Sequence, residues 1–178
     1  MILFKSANKK FVDKLADYKK ARSYREGARW NSASIPVQYF SSNVQNAMLE
    51  LSNYMPDPLV ANKLNVMGVY ESPSLRLHHI TPEELPDGWH LYPYPSATQF
   101  LGDRYLLDER FDGFVVPSCA INTDLAESNH NEVRNCIYAN IVLNPERPSV
   151  QQIRLMNYCS PIYSNRSFNG PKKKSGKR

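Results

Sequence analysis

The sequence has no long apolar run, and this absence excludes a protein with a membrane-spanning helix. Hydrophobic residues make up 42% of its 178 positions, yet no stretch approaches the roughly 20 apolar residues that a helix needs to span a bilayer. Residues 1–4 have neither the charged region nor the small-residue cleavage site of a signal peptide. We interpret them as a first strand. The length fits one domain with its own core and no membrane partner.

Cysteine and histidine are both scarce, and neither is spaced for a disulfide framework or a metal site. The three cysteines are odd in number and include no CxxC pair, a pattern typical of reduced thiols in the cytoplasm. The four histidines have no metal-ligand spacing with the cysteines. The sequence therefore predicts a cytoplasmic protein without a bound metal.

Excess positive charge is missing from most of the chain. The net charge of +5 divides into +6 over residues 1–29, −6 over residues 30–171 and +5 over residues 172–178. The body without its tail is neutral, which argues against broad binding to nucleic-acid phosphates. We expect one folded domain over residues 1–170 and a disordered basic tail over residues 171–178.

Apolar periodicity predicts strands and helices without regular βαβ alternation, which indicates an α+β fold. Strands are predicted at residues 1–4, 35–40, 64–70, 113–117, 136–143 and 153–158. Helices are predicted around Phe11–Tyr18, from the Ser42–Gln45 capping box to about Tyr54, and from the Ser96–Gln99 capping box to about Leu107. The polar stretch from Cys119 to Arg134 predicts an exposed loop. The first helix has a basic outer face, which either faces water or contacts a partner.

An arginine, a tyrosine and a glutamate follow one another at three successive element boundaries. They are Arg29, Tyr39 and Glu50. A guanidinium can bind a phosphate through two hydrogen bonds, and an aromatic ring can stack on a planar base. A carboxylate can bind a ribose hydroxyl and stabilise an oxocarbenium-like cation. These residue types predict a site that breaks the glycosidic bond of a dinucleotide. The alternative is that Tyr39 belongs to the core and Glu50 faces solvent.

Six short motifs, in order, resemble those of the RES-domain family, the toxin half of bacterial RES–Xre toxin–antitoxin pairs. They span nearly the whole folded chain: Met1-Ile-Leu-Phe-Lys5, Gly27-Ala-Arg-Trp-Asn31 with Pro36 and Tyr39 after it, Ala47-Met-Leu-Glu50, Leu101-Gly-Asp-Arg-Tyr-Leu106, Val116-Pro-Ser118 and Asn140-Ile-Val-Leu-Asn-Pro145. Each motif is weakly specific by itself, but six in this order are hard to obtain by chance.

The resemblance implies an ADP-ribosyltransferase-like α+β fold, with mixed sheets and flanking helices, and an enzyme that cleaves the nicotinamide–ribose bond of NAD. By this analogy Arg29 clamps the NAD phosphates, and Tyr39 stacks on or orients the nicotinamide side. Glu50 holds the nicotinamide ribose and stabilises its cation. Ser118 and Asn140 line the same pocket as hydrogen-bonding groups. NAD is the substrate, and no metal or further cofactor is implied.

Three more residues of the matching motifs are expected to bind the substrate, namely Lys5, Trp30 and Asn31. Lys5 stands where the family usually has arginine, so it keeps the charge but loses the bidentate fork. It either contacts an NAD phosphate or extends its ammonium into water. The segment from Ile121 to about Tyr138 is longer than the family's link, and it could be a lid, a partner surface or a decoration.

The leading hypothesis is therefore an NAD-degrading toxin that acts by hydrolysis or phosphorolysis. Two alternatives stay open: transfer of ADP-ribose to a protein, and a non-catalytic module that binds an acidic partner through its basic ends. The predicted partner is an Xre-type antitoxin protein that covers the mouth of the pocket, with a homodimer within that complex as a further expectation.

Overall fold

The computed structural model describes residues 1–53, 55, 57–120, 126 and 130–164. Its strands are β1 (Ile2–Asn8), β2 (Gln38–Ser41), β3 (Asn65–Glu71), β4 (Leu77–His79), β5 (Gly113–Val116), β6 (Asn140–Leu143) and β7 (Arg154–Cys159). Its α-helices are α1 (Arg22–Glu26), α2 (Val44–Ser52), α3 (Pro58–Leu64), α4 (Ser96–Leu107) and α5 (Asn131–Ile137). Short 3-10 helices cover Leu15–Lys20, Pro82–Glu84 and Val150–Gln152.

The seven described strands form one sheet in the order β4-β5-β6-β2-β1-β3-β7. β4 and β5 pair in parallel, and the other neighbours pair antiparallel. Parallel neighbours require a crossover connection, usually a helix, as in the βαβ pattern. Most neighbours in this sheet are antiparallel and do not need such a connection. The predicted α+β class with a mixed sheet and flanking helices is confirmed, with one sheet instead of several.

Each face of the sheet carries its own hydrophobic cluster because successive side chains of a strand point to opposite faces. The first face packs Leu3, Phe40, Tyr70 and Ile141, together with Val12 from the loop after β1. The second face packs Phe114, Val116 and Val142 against Trp30 and against Tyr105 and Leu106 of α4. Each of these large side chains contributes about 1.5–3 kcal/mol when it is fully buried. Apolar packing therefore covers both faces of the sheet, and polar side chains are accommodated at the strand ends.

Two helix starts differ from the predicted capping boxes. α2 begins one residue later than expected, because Asn43 is the N-cap and its Oδ1 accepts a hydrogen bond of 2.8 Å from the amide of Asn46. α4 has Pro95 at its N-cap and no side-chain cap. A complete capping box occurs instead at Thr81 and Glu84, within the region predicted to be a loop. The pattern Ser/Thr-x-x-Glu/Gln alone does not decide which polar side chain caps a helix.

Other boundaries also differ from the sequence predictions. The residues around Phe11–Tyr18 form a turn and a 3-10 helix instead of an amphipathic α-helix, and Val12 and Tyr18 are buried. The predicted strand at 136–143 is divided between the end of α5 and β6. α1, α3, α5 and β4 were not predicted, because short elements leave little periodicity to detect, and α5 begins within the stretch up to Arg134 that was predicted to be a loop. The predicted helix end at Tyr54, residues 121–125 and 127–129 of the long segment, and the predicted disordered tail lie outside the described residues.

Across the described part of the chain, no helix is both long enough and apolar enough to cross a membrane.

Candidate active site

The candidate site lies where β2 and β5 end and β6 begins. Ser41 pairs with Asn140, and Asn140 pairs with Val116, so these positions are level across three neighbouring strands. Val116 is followed by Pro117, which cannot donate a ladder hydrogen bond and suits a strand end. Ser118 then lies beside the start of β6, with its amide donating to the carbonyl of Ile137 at 3.1 Å.

Glu50 of α2 reaches this place, and its carboxylate is the point on which the polar side chains converge. Its Oε1 accepts a hydrogen bond of 2.7 Å from Ser118 Oγ and one of 2.8 Å from Asn140 Nδ2. Among the described residues none donates to Oε2. Glu50 is half-buried, and within the described part of the chain its carboxylate is held through one oxygen.

Behind the carboxylate, Asn46 fixes the orientation of Asn140. Asn46 is fully buried, and its Nδ2 donates to Asn140 Oδ1 at 2.8 Å and to Ser41 Oγ at 2.9 Å. With its oxygen bound to Asn46, the Asn140 amide must present its NH₂ group to Glu50. Sequence reasoning missed Asn46 and Ser41 as parts of the site. The available signal was the spacing of Asn46 and Glu50, since residues four apart share one helix face.

Arg29 lies in the loop between α1 and β2 and is half-buried. Its Nη1 donates to the main-chain carbonyls of Trp89 and Leu91 at 2.5 and 2.7 Å. Its guanidinium carbon is 5.2 Å from the centre of the Tyr94 ring. Within the described chain no carboxylate pairs with it and no acceptor binds Nε or Nη2. Among the described residues, the guanidinium therefore has donors left for an anion.

The charges of Arg29 and Glu50 both affect the pKa of the Cys119 thiol. Burial raises the pKa of Cys119 to about 11, the Arg29 charge lowers it, and the Glu50 charge raises it. Both charges therefore lie within electrostatic range of one sulfur. The thiol stays protonated at neutral pH.

Trp30 and Asn31 support the Arg29 loop from inside the core. Trp30 is 2% exposed and lies between the rings of Trp89 and Phe114. Asn31 is fully buried, and its Nδ2 donates to the carbonyl of Ser23 at 2.8 Å. The structure therefore places them in the framework and not on a surface that a substrate reaches. They were predicted from a motif in which Arg29 is half-buried and the two residues after it are packed in the core.

Tyr39 connects that framework to the sheet. Its hydroxyl donates to Asn31 Oδ1 at 2.7 Å, and its ring packs against the second-face cluster. Tyr39 is half-buried and lies on the same face of β2 as Ser41, two residues along the strand. It is therefore on the face of the sheet that carries Glu50, and its ring is also part of the core.

The structure does not bring Lys5 to this cluster. Its ammonium donates to Gln38 Oε1 and lies 5.2 Å from the centre of the Phe40 ring. Phe40 belongs to the first-face cluster, so Lys5 and Glu50 are on opposite faces of the sheet. Burial lowers the pKa of Lys5 to about 8. The predicted phosphate contact of Lys5 is therefore not available, because alternation along β1 turns its side chain the other way.

Two surface cavities of about 510 and 430 Å³ lie beside the 3-10 helix Leu15–Lys20. Neither is lined by Arg29 or Glu50, and the smaller one borders the first-face cluster. We identify the site from the convergence of hydrogen bonds on one carboxylate, because the volume of a cavity does not show which reaction it could support. Among the described residues, no three histidine, cysteine or carboxylate side chains come close enough to hold a metal ion.

Comparisons with known proteins show the family and the fold of the chain. The family model described as RES domain matches residues 3–161, and no curated protein sequence matches the chain. A crystal structure of the M. tuberculosis MbcT–MbcA toxin–antitoxin complex contains a similar chain, with a TM-score of 0.59 and 15% sequence identity. The similarity covers 90% of this chain and 83% of that one. At this identity the likeness shows the fold, and the predicted ADP-ribosyltransferase-like class is confirmed.

Proposed function

This chain belongs to the RES domain family, and from that premise we propose that it is the NAD-degrading toxin of a bacterial toxin–antitoxin pair. The observation that carries the proposal is the Glu50 carboxylate, which Ser118 and Asn140 hold through one oxygen, while the Arg29 charge lies within electrostatic range of the same Cys119 thiol as Glu50. A fixed anion beside a fixed cation suits a substrate that combines a cationic sugar with a pyrophosphate.

Glu50 supplies the electrostatic part of the reaction. The bond between the nicotinamide nitrogen and C1′ of the ribose breaks, and its electron pair leaves with the nicotinamide, which becomes neutral. The ribose is left as an oxocarbenium-like cation, which the nearby carboxylate stabilises while Oε2 accepts from a ribose hydroxyl. Water or phosphate then adds to C1′, and a proton from the water or phosphate is released to solvent.

Arg29 and Tyr39 position the substrate for that step. Arg29 binds the pyrophosphate with the donors that the Trp89 and Leu91 carbonyls do not use. Tyr39 lies on the same face of the sheet as Ser41 and orients the nicotinamide side. Because the leaving group is already cationic, this chemistry needs positioning and charge stabilisation more than an added acid, and it needs no metal.

The partner follows from the activity. An enzyme that destroys NAD in the cytoplasm harms its own host, so it requires an inhibitor made with it, and we propose an Xre-type antitoxin that covers the site. The similar chain in the MbcT–MbcA structure belongs to a toxin–antitoxin complex, which supports a protein partner. A homodimer within such a complex remains a prediction.

The test is to incubate the purified chain with NAD and measure nicotinamide release with and without phosphate. We expect release by the natural chain and a loss of at least a hundredfold in kcat for Glu50→Gln, the order that removal of one electrostatic stabiliser costs. The matched control is Glu109→Gln, which makes the same change at an exposed position and should cleave NAD normally.

The acceptor is read from the products of the same experiment. Release that depends on phosphate indicates phosphorolysis, and release without phosphate indicates hydrolysis. ADP-ribose attached to protein would replace the proposal by the transferase alternative. No nicotinamide release under any condition would leave a non-catalytic module, and full activity of Glu50→Gln would remove Glu50 from the site.

A further inference from the structure

The loop Leu91–Tyr94 is fastened to the arginine that is proposed to bind the NAD pyrophosphate. Arg29 donates to the carbonyl of Leu91 at the start of this loop at 2.7 Å and to the carbonyl of Trp89, two residues earlier, at 2.5 Å. The Tyr94 ring lies against the same guanidinium, within the distance of a cation–π contact. Arg29 and the loop therefore form one structural unit, and a ligand bound at Arg29 also lies next to the loop.

The loop presents a large aromatic ring to solvent. Tyr92 is 87% exposed, and its ring centre is 6.4 Å from that of Tyr94. Two rings at this separation support each other in an edge-to-face arrangement. Tyr92 consequently offers a planar apolar face beside a phosphate-binding cation, the combination with which proteins hold a base and its attached phosphate.

A second arginine lies near the same two rings. A hydrogen bond to Glu26 raises the pKa of Arg22, and Tyr92 and Tyr94 add smaller effects in the same direction. Arg22 is therefore within electrostatic range of both tyrosines. Its side chain is 81% exposed. The guanidinium that lies against the Tyr94 ring is that of Arg29, and its positive charge favours an anionic aromatic ligand over a neutral or cationic one.

The covalent structure of NAD then indicates where each of its two halves lies on the protein. If the nicotinamide ribose is at Glu50 and the pyrophosphate at Arg29, the adenosine half extends from Arg29 to a surface that Glu50 does not occupy. We propose that the loop Leu91–Tyr94 binds this half, with the adenine base stacked on Tyr92. The assignment rests on the proposed NAD-cleaving function and adds to it the residues that select a dinucleotide.

The test compares NAD with nicotinamide mononucleotide, which has the same reactive bond but no adenosine half. Tyr92→Ala should raise KM for NAD by about 5- to 100-fold, the usual loss for one base stack, and leave kcat/KM for nicotinamide mononucleotide unchanged. Tyr92→Phe should behave as the natural chain because stacking needs the ring and not the hydroxyl. Tyr158→Ala, at another exposed tyrosine, is the control.

Each outcome decides between defined alternatives. An NAD KM within twofold of the natural value in Tyr92→Ala overturns the proposal, as does an equal loss on both substrates. If the natural chain cleaves neither substrate, the proposed NAD-cleaving function is wrong. The loop is then tested by calorimetric titration of ADP-ribose, where Tyr92→Ala must weaken binding by at least fivefold relative to Tyr158→Ala, and equal affinities exclude the site.

Discussion

Replacement of Lys5 by methionine should stabilise the protein at neutral pH and leave its activity unchanged. The Lys5 ammonium binds Gln38 Oε1 beside the Phe40 ring, on the face opposite Glu50. Burial lowers its pKa from the ordinary 10.5 to about 8, because a charge taken out of water loses hydration that one amide oxygen does not replace. Methionine has a similar length and no charge to desolvate.

The size and sign of the effect follow from the two pKa values. One pKa unit corresponds to about 1.4 kcal/mol, so the charged Lys5 side chain costs the folded state on the order of 3 kcal/mol below pH 8. Between pH 8 and 10.5 the unfolded chain holds this proton more tightly than the folded chain, and stability from this group rises with pH. With the lost hydrogen bond subtracted, we expect Lys5→Met to gain about 1–3 kcal/mol at pH 7 and little near pH 10.5.

The measurement is urea unfolding of both proteins at pH 7, 8, 9 and 10. Tyrosine titration is common to the two chains, so the difference between their unfolding free energies isolates Lys5. Lys10→Met, at an exposed position, should show no such pH-dependent difference. The reasoning is refuted if the difference for Lys5→Met does not shrink with rising pH. A large loss of NAD cleavage in Lys5→Met would also refute it, because Lys5 would then belong to the site.

Two further changes test the framework of the site. Asn46→Ala removes the donor to Asn140 and Ser41. We expect it to lower the unfolding free energy by about 1–3 kcal/mol, measured by urea unfolding, and to lower kcat more than it changes KM in steady-state kinetics. An unchanged kcat would show that Asn46 is not a positioning residue. Gly102→Ala should destabilise by about 1–3 kcal/mol or more, because the added Cβ would lie 1.9 Å from the main-chain oxygen of Trp30; an unchanged melting temperature would contradict this.

The sequence by itself determined which kind of element carries each part of the site. Glu50 was predicted within a helix after a strand, Ser118 at a strand end and Asn140 within a strand, and the structure agrees. Local patterns suffice for this, because a strand-ending proline and a helix after a polar cap are properties of neighbouring residues. The α+β class followed in the same way from strands and helices that do not alternate.

Only the tertiary structure decided which of these residues meet. Glu50, Ser118 and Asn140 converge because β5, β6 and β2 are neighbours in the sheet although they are distant in the chain. Period-two alternation shows that Leu3 and Lys5 share a face, but not that this face is opposite Glu50. That choice is made when the two hydrophobic clusters close over the sheet, since burial of their side chains selects one strand order and one face for each strand.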